Sequence, residues 1–407
     1  MDGFGAAHAP WAEPDLRGPQ ARRPAAGTIC VVLHDLSGGG SERIALRLAN
    51  RWAELGRDVR LICGVVEGPL LDLVGPKVRL EPLSPAVPRG PGSRWRLAAA
   101  VREVLRRRPC DVLYLPGNFH WPVARAVEGL GRERPAVVAQ LSNPLRRDDR
   151  GRLRQALFEA QSRLRLRNAD LILALSRPAQ AEAEAVLGRP RVRLLPLPAL
   201  EDSAPSPKPP PPGPPLILAI GRLTPQKDFR LALEAFARLR QPEARLAILG
   251  EGPERADLEA LIRRLGLFGR VEMPGYVADV RPWLDRARLL LVSSRFEGYG
   301  AVIVEALAAG RPVVATPCGG AVDELLLDRR GGLAAERPSP RALAMALEGE
   351  LSGPPRDPAK LAEMVQGFRL GPVAQAYLEA FDSLPRAIAS GWVVARHSAP
   401  GWALAGA

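Results

Sequence analysis

The sequence predicts an α/β protein built from two doubly wound domains, and three observations indicate this fold class. First, 407 residues are too many for one ordinary core, because a domain commonly holds about 100–200 residues. Second, short apolar runs alternate with helix-period segments from Thr28 onward, which is typical of βαβ units and a parallel sheet. Third, the stretch 203–215 holds eight prolines in thirteen residues and divides this alternation into two halves.

The first half, residues 28–202, opens with a buried strand at Thr28–Leu33. Ser41–Leu55 follows as a helix, because its apolar residues recur at helical spacing and leave the opposite face polar. Apolar runs of strand length continue with helical segments between them, at Val59–Val65, Asp111–Leu115, Ala136–Leu141, Leu171–Leu175 and Val192–Leu197. This half therefore predicts one parallel sheet with helices on its faces.

The proline-rich stretch 203–215 predicts an extended, semi-rigid linker, because proline cannot donate a backbone hydrogen bond and fixes φ. Residues 216–384 then repeat the alternation, with strands predicted at Leu216–Ile220, Arg245–Leu249, Arg270–Met273, Leu289–Val292 and Pro312–Ala315. Two such domains place a ligand cleft between them, at the carboxyl ends of the strands. We expect residues 1–27 to form a disordered extension and residues 385–407 a tail.

The composition excludes a largely disordered chain, because 46% of the residues are hydrophobic and 25% are charged. The net charge of +13 raises the question of a nucleic-acid or membrane partner. Nearly all the cations are arginine, with only four lysines, so the charge equally fits a compositional bias spread over the chain. Residues 1–203 carry +10 of the total, from 32 basic and 22 acidic residues.

Cysteine usage and hydropathy predict a cytoplasmic protein. The four cysteines lie far apart without a C-x-x-C pair, so neither a disulfide framework nor a zinc site is indicated. The first 26 residues lack the apolar core of a signal peptide. The longest apolar runs have strand length, which is too short to span a bilayer. We expect a soluble protein, or one attached to the inner membrane surface at most.

A glycine-rich loop, Gly38–Arg43, joins the first strand to the first helix. Glycines such as Gly39 and Gly40 let the backbone approach a ligand, and the N-terminus of the following helix offers free N–H groups to an anion. The spacing fits neither a P-loop nor an ordinary dinucleotide fingerprint. Taken alone, the loop is equally consistent with a tight turn between strand and helix.

A second loop, Gly221–Asp228, follows the first strand after the linker. Arg222 offers a planar fork and Lys227 a point charge, and together they can hold a diphosphate. The alternative is a pair of solvated cations, which Arg222 alone would fit. Lys227 favours a functional interpretation, because almost every other basic residue of this chain is an arginine.

The third stretch, 293–307, reads as a strand end, a glycine-punctuated turn and a helix. Glu297 lies in the turn, and Glu305 lies in the second turn of a helix that begins near Gly300. Both carboxylates can therefore face a ligand whose anion sits at the helix N-terminus. Glu305 is flanked by apolar residues, so its carboxylate needs a partner. A plain surface acid is the alternative for Glu305.

These segments together resemble a known family. GGGSER, GRLTPQKD, LGEGPE, FEGYGAVIVEAL, GRPVVAT and CGG occur in the order found in family 4 of the retaining glycosyltransferases, which have the GT-B fold. The resemblance runs over about residues 28–383. It implies two Rossmann-like domains, the N-terminal one for an acceptor and the C-terminal one for a nucleoside-diphosphate sugar. It also implies that the C-terminal helix, near Ala374–Leu384, crosses back to the first domain.

The resemblance assigns expected roles to individual residues. Arg222 and Lys227 match the pair that neutralises the donor diphosphate, and Glu297 matches the acid that contacts hydroxyls of the transferred sugar. Glu305 matches the acid that hydrogen-bonds the ribose. The remaining donor-binding positions that it implies are Gly39, Gly40, Gly221, Glu251, Gly252, Tyr276, Val277, Gly298, Tyr299, Gly300 and Ala301.

The expected chemistry is transfer with retained anomeric configuration and without a metal or other cofactor. Two cations and a helix N-terminus can stabilise the leaving diphosphate, and the sequence has no D-x-D or His/Asp cluster. Many relatives carry a histidine where this chain has Ser142-Asn143. Asn143 can hydrogen-bond a sugar but cannot act as a base. His120 is the nearest substitute, although a packing histidine beside aromatic residues is the favoured interpretation.

The segment 144–167 carries eight arginines against three acids, and its apolar residues fall at helical spacing. A basic amphipathic helix of this kind can lie on an anionic membrane that holds lipid-linked acceptors. A solvated helix packed on its own domain is the equal alternative, because core packing needs the same apolar stripe.

The sequence thus predicts a glycosyltransferase that uses a nucleotide sugar and a glycan or lipid-linked acceptor, for example in cell-surface polysaccharide or lipopolysaccharide biosynthesis. One rival is a non-catalytic sugar-nucleotide-binding subunit that serves another transferase. A nucleic-acid-binding protein is less favoured, because the chain has no recognisable module and only 5% aromatic residues. We therefore expect no nucleic-acid partner. UDP and GDP donors are not distinguished.

Overall fold

The computed structural model describes residues 26–37, 39–147, 150–188, 192–203, 206–326 and 328–385. The predicted extension 1–27 and tail 385–407 lie almost wholly outside these residues, as does part of the linker. Each half of the chain forms one parallel sheet with helices on both faces. The fold class predicted from the alternating pattern is therefore confirmed.

The first sheet has seven strands in the order β3-β2-β1-β4-β5-β6-β7. These are β1 Thr28–Leu33, β2 Asp58–Cys63, β3 Arg79–Pro82, β4 Val112–Leu115, β5 Ala136–Gln140, β6 Leu171–Ala174 and β7 Val192–Leu194. The helices around it are α1 Gly40–Glu54, α2 Ser93–Arg107, α3 Pro122–Ala126, α4 Arg152–Leu166 and α5 Arg177–Leu187.

The second sheet has six strands in the order β10-β9-β8-β11-β12-β13. These are β8 Leu216–Ile220, β9 Arg245–Leu249, β10 Val271–Gly275, β11 Leu289–Val292, β12 Val313–Ala315 and β13 Gly332–Ala334. The helices of this half of the chain are α6 Phe229–Phe236, α7 Arg255–Arg264, α8 Arg281–Arg286, α9 Ala301–Ala308, α10 Ala321–Leu325, α11 Pro340–Ser352, α12 Pro358–Glu363 and α13 Leu370–Asp382.

Both sheets reverse their strand order beside the first strand, at β1/β4 and at β8/β11. In an open α/β sheet the loops on either side of such a reversal diverge and leave a crevice at the carboxyl ends of the strands. The strands that border these crevices are buried apolar runs, as a sheet covered on both faces requires. The topology thus predicts one ligand crevice per domain.

The last helix, α13, packs on the first domain, as the resemblance implied. The indole Nε1 of Trp52 in α1 donates to the carbonyl of Ala374 at 3.2 Å. The guanidinium of Arg57 holds both carboxylate oxygens of Asp382, at 3.2 and 2.7 Å. Trp52 also lies edge-on to Phe381, with ring centroids 5.1 Å apart. The chain therefore passes between the domains twice, and its two crossings meet where Leu200 bridges Arg369 in parallel.

Candidate functional site

The loops after β8 and β11 meet at the crevice of the second domain. Lys227, in the first loop, donates to Oε1 of Glu297 in the second at 2.6 Å. The hydroxyl of Ser294 donates to the same oxygen. Glu297 is only 5% exposed, so its carboxylate needs these partners. No described residue donates to its second oxygen, Oε2, which leaves that atom for a ligand.

Further hydrogen bonds fix the two loops to each other. Ser293 Oγ donates to the carbonyl of Lys227 at 2.8 Å, and the amide of Arg295 donates to the carbonyl of Gln226 at 2.8 Å. The side chain of Gln226 donates to the carbonyl of Phe296 at 3.1 Å. Lys227 and Glu297 are thus held in place before any ligand binds, which is what preorganised electrostatic stabilisation requires.

Glycines allow the loops around Lys227 to approach one another. A Cβ on Gly221 would lie 3.0 Å from Cε of Lys227, so the lysine side chain lies directly over this glycine. A Cβ on Gly250 would lie 1.9 Å from the carbonyl oxygen of Gly221, and its φ of +143° is one that favours glycine. Gly252 lies directly against the backbone of Leu223, so a Cβ at this position would also be too close.

The other predicted donor-side residues directly follow the carboxyl ends of β8, β9 and β10. Arg222 is exposed and makes no ion pair with any described residue, so its guanidinium can turn toward an anion. Glu251 is exposed and lies 3.6 Å from Arg255. Tyr276 is half-exposed and Val277 is partly buried, just beyond the end of β10. Among the described residues, no hydrogen bond or ion pair joins any of these positions to Glu297.

The turn that begins α9 places backbone N–H groups beside Glu297. Gly300 caps the helix with a left-handed φ of +91°, which a residue with a side chain rarely adopts. Ala301 starts the helix. Tyr299 is buried against Phe368, with ring centroids 5.5 Å apart, and burial raises the pKa of its hydroxyl. The side chain of Tyr299 is therefore part of the packing against Phe368.

Glu305 is partly buried on α9 and faces the first domain. Burial raises its pKa to about 7, while the positive charges of Arg47 and Arg43 on α1 oppose that rise. Arg43 also donates to the carbonyl of Ala278 at 3.1 Å and so joins the two domains. No described residue lies within hydrogen-bond or ion-pair distance of this carboxylate, so the partner that its apolar surroundings predicted is not found among the described side chains.

Glu305→Gln is expected to gain stability over the wild type as pH rises from about 5 to about 8. Folding raises the pKa of Glu305 from 4.5 to about 7, so in this window the folded protein retains a proton that the unfolded chain releases. Wild-type stability therefore falls as pH rises, and glutamine escapes that loss. Over this pH range, the unfolding free energy of Glu305→Gln relative to that of the wild type should increase by an amount that approaches about 3 kcal/mol. Denaturant titrations at both pH values measure it, and a pH-independent difference would refute the raised pKa.

The glycine loop of the first domain is held by an arginine that sequence analysis did not single out. Arg89 binds Asp35, with Nη2 3.1 Å from Oδ1, and lies 3.3 Å from Glu42. Asp35 precedes the loop and Glu42 follows it, while Gly39 and Gly40 lie between them at the start of α1. Burial alone would raise the pKa of Asp35, but hydrogen bonds from Arg89 and Ser37 lower it to about 2. No pattern distinguishes Arg89 from the many other arginines of the chain.

Asn143 lies where the two domains touch. A Cβ on Gly298 would lie 1.9 Å from the carbonyl oxygen of Ser142, so the turn of Glu297 abuts this loop. Asn118 holds the same loop, because it donates to the carbonyl of Asn143 at 3.2 Å and accepts from the amide of Ser142 at 2.8 Å. The structure therefore places Asn143 beside the turn that carries Glu297, across the contact between the two domains.

His120 does not face the cleft. Its side chain is buried beside Phe119, with ring centroids 5.5 Å apart, and no described residue hydrogen-bonds to either ring nitrogen. Burial lowers its pKa to about 3, so the imidazole stays neutral. These features favour the packing interpretation over an acceptor-side base. His34 is likewise buried and lies edge-on to Phe119, with ring centroids 4.9 Å apart.

The apolar stripe of α4 is not packed against the protein. Leu153 is 88% exposed, Leu157 60% and Leu164 43%, whereas the buried residues of this helix are Ser162 and Leu166. The helix does pack on its own domain, as one of the two alternatives had it, but through Phe158, Ser162 and Leu166 and not through this stripe. No described residue pairs with Arg152 or Arg154 at the start of the helix.

Metal-binding clusters and membrane-spanning helices are both absent from the described part of the chain. No group of three or more His, Cys, Asp or Glu side chains could hold a metal ion there. No described helix is both long and apolar enough to cross a membrane.

Two Rossmann-like domains that face each other across one cleft, with a C-terminal helix returning to the first, define the GT-B class of fold. Family models agree with this. The model "Glycosyl transferase 4-like domain" matches residues 39–199, and the model "Glycosyl transferases group 1" matches residues 214–352. The chain belongs to the group 1 glycosyltransferases.

Curated relatives agree with this family. The lipopolysaccharide core biosynthesis glycosyltransferase LpsE of Rhizobium meliloti is 34% identical over 42% of this chain and 51% of its own. The alpha-D-kanosaminyltransferase of Streptomyces kanamyceticus is 33% identical over 34% of this chain and 37% of its own. The chain thus spans about half the length, or less, of these relatives.

Solved structures are similar over more of the chain. Anabaena Alr3699/HepE in complex with UDP and glucose has a TM-score of 0.69 at 20% identity, over 88% of this chain and 100% of that one. WaaG, a glycosyltransferase involved in lipopolysaccharide biosynthesis, has a TM-score of 0.67 at 21% identity, over 87% and 100%. At this identity the likeness shows the fold.

Proposed function

We propose that the protein is a retaining glycosyltransferase that moves a sugar from a nucleoside-diphosphate sugar to a glycan or lipid-linked acceptor. The observation that carries the proposal is the preorganised Lys227–Glu297 pair at the crevice of the second domain. The names of LpsE and WaaG support cell-surface polysaccharide or lipopolysaccharide biosynthesis as the setting.

The residues of the site supply the charges that this reaction needs. As the bond between sugar and diphosphate breaks, negative charge builds on the leaving group and positive charge on the sugar. Lys227, Arg222 and the N-terminus of α9 stabilise the diphosphate without a metal. Oε2 of Glu297 accepts a hydrogen bond from a hydroxyl of the sugar. The acceptor oxygen forms its bond to the anomeric carbon on the face from which the phosphate departs, and the phosphate takes the proton of that hydroxyl, so the anomeric configuration is retained.

Nucleotide binding tests the donor half of this proposal. We expect one of UDP, GDP or ADP, at about 100 times its Kd, to stabilise the protein by about 2.7 kcal/mol. In a protein of this size that raises the melting temperature by roughly 2–4 °C or somewhat less. Lys227→Ala should abolish the shift, because it removes a cation of the diphosphate site. Lys360→Ala, at an exposed position on α12, is the matched control and should retain it. Silence across the panel would refute the donor site.

We further propose that segment 144–167 binds an anionic membrane surface through the exposed stripe of α4. Leu153→Asp/Leu157→Asp is expected to weaken binding to vesicles containing phosphatidylglycerol at least tenfold, because burying each leucine is worth about 1.5–3 kcal/mol. Sedimentation with the vesicles measures this. Phe268→Asp, which alters an equally exposed apolar residue of the second domain, is the control. Equal binding by the three proteins would contradict this placement.

A further inference from the structure

The residues on either side of Glu297 both contact one loop of the first domain. The guanidinium of Arg147 lies over the ring of Phe296, with its central carbon 3.6 Å from the ring centre. On the other side of Glu297, a Cβ on Gly298 would lie 1.9 Å from the carbonyl oxygen of Ser142. Ser142 and Arg147 belong to the same loop, which follows β5. This loop therefore touches the turn of Glu297 at two points.

The contact of Arg147 with Phe296 is an attraction between the domains. The electron-rich face of an aromatic ring attracts a cation above it, and the planar guanidinium of arginine can also stack on that face. Both side chains are partly buried, so water and salt screen the attraction less than at an exposed site. Gly298 offers only backbone to the loop, whereas this pair joins a side chain of the turn to a side chain of the first domain.

The loop that carries Arg147 is fixed to the first domain. Asn118 donates to the carbonyl of Asn143 at 3.2 Å. Leu145 is buried in an apolar cluster of this domain, and its carbonyl accepts from the side chain of Gln155 in α4 at 2.9 Å. Arg147 therefore extends from a loop whose position is set by the first domain.

The backbone of Phe296 is bonded to the loop of Lys227. Its carbonyl accepts from the side chain of Gln226 at 3.1 Å, and the amide of Arg295 donates to the carbonyl of Gln226 at 2.8 Å. Because Phe296 and Glu297 share a peptide bond, displacing the ring displaces the backbone that places the carboxylate beside Lys227. A contact on this ring therefore acts on the position of Glu297.

We propose that Arg147 is a positioning residue for the transfer reaction. Its guanidinium stacks on Phe296 and holds the turn where Glu297 receives both Lys227 and a hydroxyl of the sugar. Arg147 acts through Phe296 and does not touch the reacting atoms. The inference rests on the proposed function, because it takes Glu297 to act on the transferred sugar. It makes a loop of the first domain part of the geometry in which the second domain reacts.

Arg147→Ala is expected to lower kcat about tenfold, because misplacing reacting groups by about 1 Å can cost about 10²-fold in rate. The reaction is followed as release of the nucleoside diphosphate from the donor found by the nucleotide panel, with water as the acceptor and without vesicles. The melting shift induced by the nucleotide should be unchanged, since Arg222 and Lys227 remain. Arg286→Ala removes a guanidinium that lies 5.1 Å from the ring centre of Trp283 in α8. It is the matched control and should keep the wild-type kcat.

Two further substitutions distinguish positioning from a merely structural role. Arg147→Lys keeps a cation over the ring and should recover part of the lost rate. Phe296→Leu removes the aromatic face and should lower kcat to the same extent as Arg147→Ala. The double variant Arg147→Ala/Phe296→Leu should be no slower than either single variant, because all three break one contact. Additive losses in the double variant would overturn the pairing.

The remaining outcomes separate this inference from the proposed function. Wild-type kcat in Arg147→Ala, beside an active wild type, would overturn the positioning role. Loss of the nucleotide-induced melting shift in Arg147→Ala would overturn it as well, because the damage would then include the donor site. A wild type that binds the nucleotide but turns over no donor would refute the proposed function, and this inference with it.

Discussion

Glu297→Ala is expected to lower kcat by about 10²–10³-fold, comparable to the loss of one preorganised charge-stabilising group in an active site. The substitution removes the oxygen that receives Lys227 at 2.6 Å, so the ammonium loses its position beside the diphosphate. It also removes the acceptor for a hydroxyl of the sugar. Product formation with the donor found by the nucleotide panel measures the effect.

Glu297→Gln serves as the comparison. Its amide oxygen can still receive Lys227 and Ser294, while the negative charge is gone, so its activity should lie between those of wild type and Glu297→Ala. If wild type and Glu297→Ala were equally inactive while both bound the nucleotide, the chain would be the non-catalytic subunit instead. That outcome would leave the donor site intact and refute the transferase.

Gly298→Ala is expected to lower kcat by about 10–100-fold while leaving nucleotide binding in place. Its Cβ would lie 1.9 Å from the carbonyl oxygen of Ser142, so the two domains could not approach as they do here. Misplacing reacting groups by about 1 Å can cost about 10²-fold in rate. The transfer rate is measured on the same preparation as the melting shift induced by the nucleotide found in the panel.

Gly151→Ala is the matched control for this substitution. A Cβ at Gly151 meets nothing within 4 Å, and its backbone φ of −60° suits alanine. Full activity in Gly298→Ala would mean that the reacting geometry does not need this contact. Loss of nucleotide binding in Gly298→Ala would place the damage in the second domain rather than between the domains.

Most of the fold could be predicted from the sequence, because a strand that is buried on both faces of a parallel sheet consists almost entirely of apolar residues. Such strands are visible in the sequence as short apolar runs. The exceptions are β3 and β13. Strand β3, RLEP, carries two charged residues and lies at the sheet edge, where one side stays wet. Strand β13 has three residues and begins with a glycine that lies against the carbonyl of Val313. Neither offers an apolar run to detect.

The site was harder to predict than the fold. Lys227 and Glu297 could each be singled out, but they are 70 residues apart and their ion pair depends on β8 lying next to β11. Arg89 carried no signal because arginine is common throughout the chain. The periodicity of α4 was visible in the sequence, yet it does not say whether an apolar stripe faces a core or solvent.

Because α13 packs on the first domain, it limits where two related chains can be joined to make a hybrid protein. If two chains were joined in the proline-rich segment, the hybrid would take its α13 from the second chain. That foreign helix would then have to pack on Trp52 and Arg57 of the first domain, which contact the native α13. An exchange limited to residues 216–369 would keep the native α13 packed on its own first domain. Second domains exchanged within those bounds should fold beside the first domain of the recipient chain. Exchanges that include α13 should succeed only between chains that share the residues that hold this helix, Trp52 and Arg57.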